Sequence, residues 1–201
     1  MMRTVSALYD TYSAASTAVN ALAAAGIAHA DISIVANNSD DWHKGDKGSD
    51  VADDAGKGAG IGAAVGGLGG LLTGLGLMAI PGVGPVVAAG WLAATAAGAV
   101  AGAAVGGAAG GIIGGLTDAG VPEREAHVYA EGVRRGGTLV TARVDEGRES
   151  TAKAILERHK SVNLSARGDA YRASGWSAFD PAAPAYTADE VNRERARYNS
   201  L

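Results

Sequence analysis

From Gly58 to Thr117 the chain carries no charged residue, a run of sixty in a protein of 201. Within it, glycines recur every fourth position: Gly58, Gly62, Gly66, Gly70 and Gly74 form one row, and Gly98, Gly102, Gly106, Gly110 and Gly114 a second. Glycine costs about 1 kcal/mol relative to alanine inside a helix. Ten glycines at helical spacing therefore need an offset, and close helix packing is the physical candidate. A stripe without side chains lets a neighbouring backbone approach until Cα–H···O contacts form. A flexible linker does not fit, because linkers do not interleave Ile61, Val65, Leu68, Leu72 and Leu75 at the same period.

The segment "PGVGP", with Pro81, Gly82, Gly84 and Pro85, breaks any helix and divides the run. If helical, the arms at 58–80 and 86–117 would be about 34 and 48 Å long. Both exceed the roughly 30 Å of a bilayer core. The expectation is a glycine-zipper helical hairpin over residues 58–117 whose turn is "PGVGP". Its ten row glycines would be the helix-packing residues. Lys44, Lys47, Lys57, Arg124, Arg134 and Arg135 flank it on one side, as the positive-inside rule prefers. Against insertion, Leu, Ile, Val and Met number nine in the first arm but only eight in the longer second. Two readings stand: anchoring in or on the inner membrane, and a large water-soluble cytoplasmic assembly cored by packed hairpins.

The flanks read differently. Residues 3–10 alternate as a strand, 11–26 carry the periodicity of a helix, and "DISIVAN" (31–37) reads as a second strand. Residues 38–57 form an acidic linker. After Gly120, "VPEREAHVYAEGVRRGG" is a helix with acids early and bases late, matching the helix dipole. A strand (137–144), a helix (149–160) and a last strand (161–168) follow. Together, residues 1–37 and 118–168 give an α+β, ferredoxin-like (split βαβ) domain with the hairpin inserted. The tail, 169–201, carries Tyr171, Trp176, Phe179 and Tyr186 as docking aromatics. Thr187 and Glu190 then form a capping box for a short helix at 188–199.

Chemistry is sparse. There is no cysteine, which excludes disulfides and zinc–thiolate sites. The net charge of −4 argues against a nucleic-acid partner. "GAGIGAAVG" has a GxGxxG-like spacing but no strand before it, so no dinucleotide cofactor is expected. Asp40, Asp41, His43, Asp46, Asp50, Asp53 and Asp54 read as a solvated acidic loop rather than a metal site. His29, His127 and His159 sit in no catalytic motif. Trp91 fits an interfacial anchor and a packing knob equally. Arg134 and Arg135 read as solvated dipole partners at a helix end, an anion site being the sharper alternative. No catalytic, cofactor-binding or metal residues and no small-molecule substrate are assigned. A ligand-binding or enzymatic domain is the third function class considered.

The chain resembles bacterial general stress proteins with a heat-induced stress protein domain. The resemblance rests on "ALYD…A…AVNALAAAGIAHADISIVA", "LGLMAIPGVGPVVAAGWLAA", "AGVPEREAHVYAEGVRRGGTLVTARV" and the aromatic tail, together most of residues 4–200. It implies a small α+β domain, a glycine-zipper hairpin and a link to stress, and no catalytic residue. The expected function is that of a non-enzymatic stress-associated protein that self-associates as a homo-oligomer, with membrane lipid a possible partner.

Overall fold

A computed structural model describes residues 1–44, 76–102 and 111–199. Its centre is a five-stranded sheet. The strands are β1 (Met2–Tyr9), β2 (Ile32–Asn37), β3 (Gly76–Ile80), β4 (Gly84–Gly90) and β5 (Thr138–Asp145), in spatial order β1-β5-β2-β4-β3. Every neighbouring pair is antiparallel. β1 and β2 therefore run the same way with β5 between them, a split β-α-β around helix α1 (Tyr12–Ala24). Thr11 caps α1 by accepting from the Ala14 N–H at 3.2 Å.

Alternation along the strands sends side chains to two cores. Val5, Ala7, Tyr9, Ile32, Ile34, Val140 and Ala142 meet α1 and helix α5 (Glu149–Arg158) on one face. Leu8, Val35, Val86, Ala88 and Leu139 meet the other layer: α2 (Trp91–Gly102), α3 (Ile112–Asp118) and α4 (Glu123–Arg134). The result is a helix–sheet–helix sandwich.

Two expectations fail here. "PGVGP" does turn the chain, but between strands and not between helices. Val83 N–H donates to the Ile80 carbonyl at 3.0 Å, and residues 76–80 pair with 84–88. Residues 76–90, where the two helical arms were expected to meet, are thus a β-hairpin, and residues 58–75 of the first arm lie outside the described residues. The reason is local: Ile80, Val83, Val86 and Val87 favour a pleated, buried surface, and Gly82 (φ +73°) and Gly84 (φ +96°) supply the turn. The second arm is also not one helix, since α2 and α3 are separate elements. Row members Gly58, Gly62, Gly66, Gly70, Gly74, Gly106 and Gly110 lie outside the described residues. Gly98 and Gly102 fall in α2 and Gly114 in α3. The described glycine that meets α2 is Gly115, one residue off the row, where a Cβ would lie 2.6 Å from Leu92 Cδ1.

The last strand of the ferredoxin-like pattern is also missing. Residues 161–163 join no strand, and Asn163 accepts from the Ala166 N–H at 3.0 Å and starts helix α6 (Leu164–Ala173). The apolar alternation of Val162 and Leu164 was too short to outweigh that cap and the helix formers behind it. Only one backbone bond of the expected strand forms, from the Val162 N–H to the Leu8 carbonyl at 2.8 Å. β1 stays at the sheet edge.

Candidate functional site

The segment "EGVRRGG" closes α4 and carries three charged residues, Glu131, Arg134 and Arg135. Gly132 sets its position: a Cβ there would sit 2.5 Å from Leu8 Cδ2, so only glycine lets α4 cross β1 this closely. The crossing points Glu131 inward, and its side chain is 0% exposed. It accepts from Arg135 Nε at 2.6 Å and from Arg134 Nη1 at 3.4 Å. The two arginine side chains are themselves only 13% and 10% exposed. They are not the solvated dipole partners expected from the sequence. Nor are they an open anion site, because the protein's own carboxylates fill it.

The tail completes the cluster. Arg135 lies 4.3 Å from the Tyr171 ring centroid and pairs with Glu194 at 3.6 Å. Arg134 lies 4.9 Å from the Tyr186 ring and donates to the Pro184 carbonyl at 2.9 Å. Arg195, on helix α7 (Ala188–Asn199), donates to the Gly136 carbonyl and pairs with Asp40. Arg167 grips Asp10 through two bonds of 2.9 and 3.1 Å and lies over the Tyr198 ring. Four arginines thus tie the tail to the ends of the strands and helix beneath it. Burial alone would lower the Arg135 pKa. The Glu131 hydrogen bond and charge more than offset this, leaving it raised. Burial pushes the Tyr171 hydroxyl well above the usual tyrosine value against the pull of Arg167.

Of the aromatics singled out in the tail, Tyr171 and Phe179 are buried, and Trp176 and Tyr186 partly so. Phe179 N–H donates to His127 Nδ1 at 3.1 Å, and the chain at 179–181 covers the β3–β4 turn so closely that a Cβ on Gly82 would meet the Asp180 carbonyl at 2.7 Å. The capping box is present, with Thr187 N–H on Glu190 at 2.8 Å and Glu190 N–H on Thr187 at 3.3 Å. Trp91 packs on the core, with the Arg143 guanidinium 5.0 Å from its ring. Of the acidic loop, Asp40 is spent on Arg195, and Asp46, Asp50, Asp53 and Asp54 lie outside the described residues. The sequence reading passed over Glu131, Arg167, Glu194 and Arg195. Glu131 had a legible signal, standing three and four residues before the two arginines; the others meet only through tertiary folding.

A second feature is a cavity of about 1000 Å³ along β1, between α4 and α5 and closed at one end by residues 161–165. It occupies the place where a strand beside β1 would lie. Tyr129 reaches across its floor to donate to the Ser6 carbonyl at 2.9 Å.

Fold and site together define an α+β sandwich held shut by its own arginine-tied tail. A family model described as the heat induced stress protein YflT domain matches residues 4–83, from β1 through the turn after β3. That match supports a relation to the stress-protein family over this part of the chain. No curated protein and no solved structure matches the chain.

Proposed function

We propose that this is a non-enzymatic, stress-associated protein that acts by self-association. The family match on residues 4–83 supports the link to stress. The observation that carries the mode of action is how the chain divides its chemistry. Glu131, Arg134, Arg135, Arg167 and Asp10 close on one another, while the uncharged stretch 58–117 with its two five-glycine rows supplies β3, β4, α2 and most of α3 and holds seven row glycines outside the described residues. A domain that spends Glu131, Arg134, Arg135 and Arg167 on internal partners is built to hold a shape.

Self-association is favoured over membrane anchoring by a specific contact. "PGVGP" was expected at the far end of a membrane hairpin, yet Val83 is fully buried in the domain core and Phe179 covers the turn. Among the described residues no helix is long and apolar enough to cross a membrane.

The test is sedimentation velocity of the full chain with and without detergent. A large detergent-independent species is expected, and Gly66→Leu and Gly106→Leu should dissociate it whereas Leu68→Ile should not. Release only by detergent would support the membrane reading, and a monomer under all conditions would defeat both.

A further inference from the structure

The geometry points to a second, separate self-association surface: the free edge of β1 pairs antiparallel with β1 of another copy, about a twofold axis at Thr4. The inference rests on the self-association reading but uses no residue of the glycine rows.

The hydrogen-bonding parity of β1 carries it. The Leu8 carbonyl points outward to Val162, and the Ser6 carbonyl outward to Tyr129. By the alternation of an antiparallel ladder, the N–H and C=O groups of Met2, Thr4 and Ser6 all face away from β5. Beyond Leu8 the edge is already taken by the chain's own residue 162. Among the described residues, what remains open is a ledge from Met2 to the Ser6 N–H, centred on Thr4. Thr4 opposite Thr4 and Met2 opposite Ser6 would form about four backbone hydrogen bonds to open groups, the two Ser6 carbonyls being already held by Tyr129, with a Thr–Thr cross-strand pair on the axis.

Two further observations select a second copy as the occupant. Met2 is 58% exposed, one of the few large apolar side chains left in solvent among the described residues. In this register it falls beside Ser6 of the other copy, where Val121, Val128 and Tyr129 line the cavity. The second observation is charge. Arg3 holds Glu149 at 3.8 Å, and the Tyr9 hydroxyl holds the Leu156 carbonyl at 2.9 Å, so α5 runs alongside β1 in the same direction. Glu149 and Lys153 both line the open cavity. A twofold at Thr4 sets two α5 helices antiparallel and brings Glu149 of each copy toward Lys153 of the other.

The chain has no cysteine, so one introduced thiol reports on contact between copies. In Thr4→Cys the two Cα atoms would be about 5.5 Å apart, within disulfide reach. Mild oxidation of the folded full chain should convert most of Thr4→Cys to a covalent dimer. Ser165→Cys, exposed at the far end of the same cavity, should stay uncrosslinked. Lys153→Glu should weaken dimerisation about tenfold by placing like charges together, and Glu149→Lys with Lys153→Glu should restore it. An uncrosslinked Thr4→Cys in a protein that still sediments as an oligomer would overturn this interface and leave the self-association reading intact. A monomeric parent would overturn both. The Thr4 crosslink should persist in the Gly66→Leu, Gly106→Leu double variant; its loss there would overturn the interface as a separate one.

Discussion

Glu131→Gln is the substitution that most directly tests the arginine cluster. The side chain keeps its volume and loses its charge at a position with no solvent exposure. Removing one partner of a buried ion pair costs about 3–5 kcal/mol, because the other charge stays buried without compensation. Here two arginines lose their nearest carboxylate. The loss is softened, since Arg135 keeps Glu194 at 3.6 Å and the Tyr171 face at 4.3 Å, and Arg134 keeps the Pro184 carbonyl at 2.9 Å. The expected cost is therefore at the lower end, about 3 kcal/mol. At about 2–4 °C per kcal/mol for a chain of this size, Tm should fall by about 6–12 °C. With a urea m-value of about 2 kcal/mol/M, the midpoint should fall by about 1.5 M. The assay is urea unfolding by circular dichroism at one fixed protein concentration, because association shifts apparent stability. The exposed Glu157→Gln serves as control and should stay within about 0.5 kcal/mol of the parent. Trypsin should also cut the tail faster in Glu131→Gln, at Arg193, Arg195 and Arg197. A stability change no larger than the control's would refute the view that this cluster holds the tail to the domain.

Two more outcomes follow from the packing. Gly132→Ala should destabilise by about 1–2 kcal/mol even though alanine is the better helix former, because the added Cβ would lie 2.5 Å from Leu8 Cδ2; in a Leu8→Ala background the same change should become neutral or stabilising, and an unchanged sign there would remove the steric account. Burial raises the pKa of Tyr9, Tyr129 and Tyr171 above the ordinary value of about 10. The stability these groups contribute is complete below that value and is lost as pH rises above it, because the unfolded chain ionises first. Absorbance at 295 nm should therefore show these three ionising only together with the loss of circular dichroism. Ionisation of all six tyrosines near pH 10 with the fold intact would contradict it.

The elements that could be read from sequence are those whose signal is local. β1, α1 and β2 follow from alternation and a glycine stop, and α7 from its capping box, because each depends on atoms only a few residues apart. The turn at "PGVGP" is local too, since glycine and proline break a helix wherever they stand. What it joins is not local: residues 86–89 become a strand because β2 offers them a ladder and the two cores take Val86, Ala88 and Ala89, whereas the glycine spacing around them suggested a helix. Residues 161–168 show the same limit in reverse, where a single asparagine cap redirected an alternating segment into a helix and left β1 without a strand from this segment at its edge. The candidate site lies almost wholly on the tertiary side. The sequence placed Arg134 and Arg135 at the end of a helix. It could not show Arg167 reaching Asp10 across 157 positions, or Arg195 reaching Asp40 across 155. Attraction between charges depends on distance in space and on exclusion of water, and only the folded chain sets both.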